Sequence, residues 1–340
     1  MSGTSKSWVL VTGAAGFIGF HLCRALLARG ERVIGIDAVN DYYAVSLKRD
    51  RIAVLESLAG ADEQFRFAEL DFADEAALEM AVAAEDIDRI VHLGAQAGVR
   101  YSLQNPRAYA RSNLLGHVNI LEVARHRAVR HLVYASSSSV YGRSAALPFR
   151  VEDRVDYPIS LYAATKRADE LMSETYAHLY RLPQTGLRFF TVYGPWGRPD
   201  MAVWLFTQKI LAGEPIPLFA GGELLRDFTY IDDIITGVVA ALDNPPPDDG
   251  AVKAGGSVSP HRLYNIGNNK PERVNRLITL IEAATGREAL IDHQPMQPGD
   301  VEATFADIGA IASDLGFAPA TPLEQGISLW VDWYRGYIAR

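Results

Sequence analysis

Tyr162 and Lys166 are spaced to act together. They occupy positions i and i+4 of a helical pattern running from Leu161 to about Arg181, and residues so spaced share one helix face. A free phenol titrates near pH ~10. A cation held beside it favours the phenolate, which makes Tyr162 a usable base near neutral pH. Upstream, an apolar strand opens into Ala135-Ser136-Ser137-Ser138-Ser139-Val140-Tyr141-Gly142. Hydroxyls at a strand end either donate to a substrate oxygen or carboxylate, or form a solvated loop. Tyr-x-x-x-Lys is common by chance, so its weight depends on what precedes it.

What precedes it is Val9-Leu10-Val11-Thr12-Gly13-Ala14-Ala15-Gly16-Phe17-Ile18-Gly19. A short apolar strand meets three glycines spaced three apart, and a helical pattern through Ile18, Leu22, Ala25 and Leu26 follows. Such a turn lets backbone come close to a diphosphate, whose charge is met by N–H groups at the helix start. Gly30 stands where a helix-ending glycine belongs. A second apolar strand, Arg32 to Ile36, then ends in Asp37. An acid roughly 20 residues past the glycines is placed to accept both ribose hydroxyls of an adenosine. Asp37 therefore favours NAD over NADP, because a 2′-phosphate beside a carboxylate is repelled.

The elements that must position these residues alternate. Strands are expected at Gln64 to Leu70, Asp88 to Leu93 and Arg130 to Tyr134, with helices to about Leu58, over 75–84 and from about Pro106 to His126. This is the pattern of a doubly wound parallel sheet. Asp71, at a strand end, either contacts adenine or belongs to the cap of the next helix. Small residues after the fourth strand, Gly94 to Gly98, let backbone pass near a cofactor; His92 reads as a packed core imidazole. Asn113 is polar within a mostly apolar helix. The Pro- and Gly-rich stretch from Asn244 through Ser257 reads as an exposed loop, and beyond about 190 the strict alternation weakens.

With 340 residues, 49% of them hydrophobic, the chain can build a large core. A net charge of −8 argues against a nucleic-acid surface. Cys23, the single cysteine, excludes an internal disulfide. With no apolar signal core at Met1 to Ser7 and no run of about 18 apolar residues, a cytoplasmic chain that does not enter membranes is expected. No metal-ligand spacing stands out.

Together these motifs resemble the extended short-chain dehydrogenases/reductases, and within them the nucleotide-sugar 4-epimerases. Finer matches are to UDP-glucuronate 4-epimerases: Asn40-Asp41-Tyr42-Tyr43, Gln96 to Ser102, Ser136 to Gly142, Leu161 to Lys166, Arg188 to Met201 and Arg226 to Asp233. Ala38 departs from the Asn usual after the ribose-binding acid. The resemblance implies a Rossmann-type α/β domain over 1–190, with returning segments at about 225–240. A smaller α/β UDP-sugar-binding domain would occupy mainly 191–340. It also implies NAD held by Gly13, Gly16, Phe17, Ile18, Gly19, Asp37, Asp71, Phe72, Leu93, Ala95, Gln96 and Asn113. Tyr162 would be the base, Lys166 would hold the nicotinamide ribose and tune Tyr162, and Ser137 would bond the reacting O4. Ser138, Ser139 and Thr191 would receive the sugar carboxylate. Arg198 and Arg226 are cationic candidates for the diphosphate or the acid group, with Arg100 also on the substrate side and Asp300 a uridine or ribose contact. For Arg198 and Asp300 a structural salt bridge or cap stands as the alternative. Family members pair through two helices, here 106–126 and 160–181, so a homodimer is expected.

The implied reaction interconverts UDP-glucuronate and UDP-galacturonate. Tyr162 removes the 4-hydroxyl proton as C4 gives hydride to NAD, the 4-keto sugar rotates, and the hydride returns to the other face. That intermediate is a β-keto acid, which loses CO₂ when its carboxylate bond stands perpendicular to the carbonyl plane. A clamp of neutral hydroxyls would forbid that geometry. The rivals are a UDP-glucuronate decarboxylase making UDP-xylose, a UDP-galactose 4-epimerase, a 4,6-dehydratase and a non-catalytic NAD-binding sensor. Ser138-Ser139 in place of an Asp-Glu pair speaks against the dehydratase, Thr191 in place of Asn against the galactose enzyme, and the intact Tyr162 and Lys166 against the sensor.

Overall fold

The computed structural model describes residues 7–59, 64–143, 147–296 and 301–339. Strand β1 (Trp8–Thr12) leads through the glycine turn into helix α1 (Phe17–Ala28), which stops where Gly30 takes up φ +70°. There follow β2 (Arg32–Asp37), α2 (Val45–Ala59), β3 (Phe65–Glu69), α3 (Glu75–Val82) and β4 (Ile87–His92). A helical turn, α4 (Tyr101–Gln104), precedes α5 (Pro106–Tyr109) and α6 (Gly116–His126). The single helix expected over 106–126 is interrupted between these two by a π-helical turn, Ala110–Leu115, which contains Asn113. The wider turn rotates that amide out of the regular helical register.

Strand β5 (His131–Ser137) runs further than its apolar stretch, taking in Ser136 and Ser137, and only then turns through a 3₁₀ segment, Ser138–Tyr141. Helix α7 (Leu161–Tyr180) is capped by Ser160, whose hydroxyl accepts the Ala163 N–H at 3.1 Å. It leads to β6 (Gln184–Phe189) and the short β7 (Thr191–Tyr193).

Seven strands form one parallel sheet in the order β10-β6-β5-β4-β1-β2-β3, where β10 is His261–Ile266. The order reverses at β1 and β4, and ligands of open α/β sheets sit in the crevice at that reversal. Side chains of β1 alternate: Val9 and Val11 enter one apolar cluster with α1, Trp8 and Leu10 another with α3 and α6.

Between and after these strands lie α8 (Ala202–Ala212), β8 (Ile216–Phe219), β9 (Leu225–Tyr230), α9 (Ile231–Asp243), β11 (Pro271–Arg273), α10 (Val274–Thr285), β12 (Ile291–Gln294), β13 (Ala303–Thr304), α11 (Gly309–Leu315) and α12 (Leu323–Ile338). Strands β7, β9, β11 and β13 make a second sheet and β8 pairs with β12. Of the stretch 225–240, β9 joins the small sheet while α9 packs on α1 and β5, and the strand that returns is β10 at 261–266. The core runs unbroken from α1 through α9 into Trp204, Ile278 and Trp330. The stretch 244–260 carries no helix or strand.

Candidate active site

The glycine turn is built by close approach. A Cβ on Gly19 would stand 2.0 Å from the Gly13 carbonyl oxygen, and one on Gly16 2.9 Å from the same atom. Gly13 itself has φ +72°. Helix α1 starts at Gly16 with no side-chain cap and no acidic residue in its first turn, where Phe17, Ile18 and Gly19 lie. A helix start left uncapped and without a neighbouring carboxylate fits a diphosphate. Asp37, at the end of β2, accepts the Val39 N–H at 2.8 Å and the Ala15 N–H at 3.2 Å. Burial pushes its carboxyl up, against the pull of Val39, Lys48 and Ala15. Asp37 is thereby fastened to the glycine turn, an arrangement that fits NAD.

Around the reversal point, Leu93 and Ala95 are half-buried and Gln96 is buried after β4. The Phe72 ring turns into the core, where a Cβ on Gly94 or on Gly116 would collide with it. Asn113 is enclosed. Its Oδ1 accepts the Gln96 N–H at 2.8 Å, and its Nδ2 donates to the Gln96 carbonyl at 3.1 Å and to Thr165 Oγ1 at 3.0 Å. Both amide protons are thus engaged within the protein, and Asn113 joins the loop after β4 to α7. Asp71 accepts the Ala73 N–H at 2.9 Å and pairs with Arg111 at 2.8 Å, while Asp74 caps α3. His92 is buried and bonds Thr12 Oγ1 at 2.7 Å, as a core imidazole.

On α7, Tyr162 is half-buried with its ring edge-on to Tyr109, centroids 6.1 Å apart. Lys166 is buried, and its ammonium donates to the Ala135 carbonyl of β5 at 2.9 Å and to Asp169 at 3.1 Å. Ser137 is buried and accepts the Ser139 N–H at 3.2 Å. Ser136 is turned the other way, donating to Glu170 at 2.6 Å. Ser137 pairs in register with Phe189 of β6; Ser138 and Ser139 lie on the turn against which α7 packs, and Thr191 follows β6 by two residues as the first residue of β7.

Arg198 pairs with Asp200 at 3.0 Å, and Tyr42 donates to the same carboxylate at 3.1 Å. The segment leading to Arg198 is fixed from the cofactor side by two residues that the sequence reading passed over. His21, which burial holds near 3 and hence neutral, donates to the Pro195 carbonyl at 2.8 Å. Arg51, fully buried, donates to the carbonyls of Ala15 at 2.7 Å, Trp196 at 2.6 Å and Gly197 at 3.1 Å. Arg226 lies on β9, donating to the Leu225 carbonyl at 2.9 Å, and Arg100 stands over the Phe219 ring of β8 at 5.0 Å. Asp300 lies outside the described residues. Among those residues no group of three His, Cys, Asp or Glu side chains is placed to hold a metal.

Residues 9–267 match the model of the NAD-dependent epimerase/dehydratase family. The chain is 45% identical over 334 residues to UDP-glucuronate 4-epimerase 3 of Arabidopsis thaliana, covering 97% of this chain and 76% of the plant protein. It is 46% identical over 339 residues to protein CapI of Staphylococcus aureus, covering 97% and 98%. The crystal structure of UDP-glucuronic acid 4-epimerase from Bacillus cereus, in complex with UDP-glucuronic acid and NAD, superimposes with a TM-score of 0.85 at 33% identity, over 97% of this chain and 99% of that one.

Proposed function

The chain belongs to the NAD-dependent epimerase/dehydratase family, and from that premise we propose that it interconverts UDP-glucuronate and UDP-galacturonate by inverting C4. The observation that carries this reading is the register of β5 on β6. It brings the end of β5, which leads into Ser138 and Ser139, beside the end of β6, and the helix that bears Tyr162 and Lys166 packs on that turn. This placement supports a reading in which Tyr162 is the base, Lys166 the cation and the hydroxyls a set of neutral donors, as oxidation beside a carboxylate requires.

Bound NAD supplies the oxidant that takes up two electrons at C4 and returns them. Tyr162 Oη accepts the 4-hydroxyl proton and gives it back, while Lys166 holds the nicotinamide ribose and favours the phenolate. Ser137 bonds O4 throughout. Ser138, Ser139 and Thr191 donate to the C5 carboxylate and keep it out of the perpendicular alignment that releases CO₂. Arg198 and Arg226 serve the anionic parts of the nucleotide. The cofactor is regenerated in each cycle, so none is consumed.

The large sheet with α9 and β10 forms the cofactor half on this reading, and β7 to β9 with the chain after β11 the sugar-nucleotide half. Pairing of two copies through α5, α6 and α7 is supported by Leu171 and Leu179, exposed on α7, and by Leu115, exposed on the π-helical turn between α5 and α6. A cytoplasmic setting accords with Cys23, a buried free thiol, and no described helix is long and apolar enough to cross a membrane. An NMR time course on UDP-glucuronate tests the function: UDP-galacturonate without CO₂ is expected, and UDP-xylose as main product overturns the reading.

A further inference from the structure

Asp169 is a carboxylate that the proposed reaction does not use, placed one helical turn beyond Lys166. It is 1% exposed, its Oδ2 receives the Lys166 ammonium at 3.1 Å, and its Oδ1 has no hydrogen-bond partner among the described residues. A buried carboxylate with an orphaned oxygen is costly to keep unless it acts on a neighbour. Lys166 has few other tethers: besides Asp169, its ammonium bonds the Ala135 carbonyl, two residues before Ser137. We propose that Asp169 is a positioning residue for the reaction, tethering the Lys166 ammonium and cancelling part of the field that this ammonium exerts on the Tyr162 phenol.

The charges facing this pair single out Asp169. Around it stand Glu170 on the same helix, His117 on α6, His92 on β4, Tyr134 on β5, Arg188 on β6 and His261 on β10. Burial holds His117 near 3 and His92 well below its ordinary value, so both are neutral, and burial pushes Tyr134 up, leaving it a neutral phenol. Glu170 and Arg188 neutralise one another at 2.8 Å. His261 bonds Tyr134 and pairs with Glu174 at 2.8 Å, beyond the Tyr134 ring. Asp169 is thus the carboxylate whose charge is set directly against Lys166. Burial lifts its carboxyl to about 6 despite that cation, so the opposing charge is present at neutral pH and disappears in mild acid.

The inference rests on Tyr162 as base, and Tyr162→Phe checks that separately: an active Tyr162→Phe removes the premise. With the premise standing, the test is the pH profile of kcat for UDP-glucuronate epimerisation in Asp169→Asn and Asp169→Ser. Both remove the charge and keep an oxygen for Lys166. Loss of the opposing charge leaves the ammonium's field on the phenol uncancelled, so the phenolate forms at lower pH. The acid limb is expected to move down by about half a pH unit, or about threefold in rate on the limb, with KM and retained NAD unchanged. A limb that stays in place or moves up, with kcat lowered evenly across the pH range, overturns the proposal. So does failure of both variants to fold, which would assign Asp169 a purely structural role.

Discussion

Glu170 and Arg188 meet in a two-point ion pair, Arg188 Nε lying 2.8 Å from Oε1 and Nη2 3.0 Å from Oε2, with both residues 1% exposed. Glu170 also accepts the Ser136 hydroxyl and the Arg167 guanidinium at 2.9 Å. Although burial works the other way, Arg188 and Ser136 hold the Glu170 carboxyl below its ordinary value. With the Ser136 bond, the pair fastens α7, with Tyr162 and Lys166, to the ends of β5 and β6, next to Ser137.

Glu170→Gln leaves Arg188 as a buried cation with its partner's charge gone. Unfolding free energy is expected to fall by about 3–5 kcal/mol, measured by urea denaturation. Replacing both, as Glu170→Leu with Arg188→Met, is expected to recover much of that loss. A double variant as unstable as the single one would contradict the assignment.

Tyr162→Phe removes the phenol oxygen and leaves the ring against Tyr109. The kcat for UDP-glucuronate is expected to drop by about 10²- to 10⁴-fold, while thermal stability and bound NAD stay near wild type. Single-turnover assays on the purified variant provide the check, and a rate near wild type would reassign the base.

Gly19→Ala would drive its Cβ against the Gly13 carbonyl, a backbone atom with no room to yield. A loss of about 1–3 kcal/mol is expected, together with loss of NAD on gel filtration. Gly213→Ala is the matched control. Gly213 ends α8 at φ +70° with nothing within 4 Å of its Cβ, so a backbone penalty of about 1 kcal/mol with NAD retained is expected.

Asp37→Asn keeps an acceptor for only one of the Val39 and Ala15 amides, which bond different carboxylate oxygens, and withdraws the charge. Charge-assisted bonds to the two ribose hydroxyls weaken, and calorimetric titration is expected to show about a tenfold loss of NAD affinity. Discrimination against NADP should relax at the same time, because the repulsion of a 2′-phosphate goes with the carboxylate.

Short-range patterns carried the parallel sheet, its glycine turn and the i, i+4 placement of Tyr162 and Lys166, because each depends on residues within a turn or two of one another. Contacts between distant segments left no such trace. Arg51 reads from sequence as one more cation on a surface helix, yet its guanidinium is enclosed by carbonyls from Ala15, Trp196 and Gly197. Asp227 sits in a polar motif, and only the fold shows it collecting the N–H groups of Asn268, Asn269 and Ala306. The return of His261–Ile266 to the large sheet was hidden for the same reason: a six-residue strand of mixed character carries no mark of the partner it pairs with. Asn113 did carry a signal, an amide in an apolar helix, but its direction was set by the π-helical turn.

The raised Asp169 carboxyl also makes a statement about stability. Its ordinary value is 3.8 and burial lifts it to about 6 in the folded chain, with Lys166 opposing. Below pH ~3.8 the group is protonated in both folded and unfolded chains and carries no penalty. As pH rises from about 3.8 to about 6 the unfolded chain gives up the proton while the folded chain still holds it, so wild-type stability falls across that window by about 3 kcal/mol on this account and levels off above it. Asp169→Asn has no proton to lose there. Its stability relative to wild type is therefore expected to rise by about 3 kcal/mol between pH 4 and pH 7, followed by urea denaturation at intervals across that range. A difference that stays flat with pH would mean that Asp169 titrates in the fold as it does in the open chain.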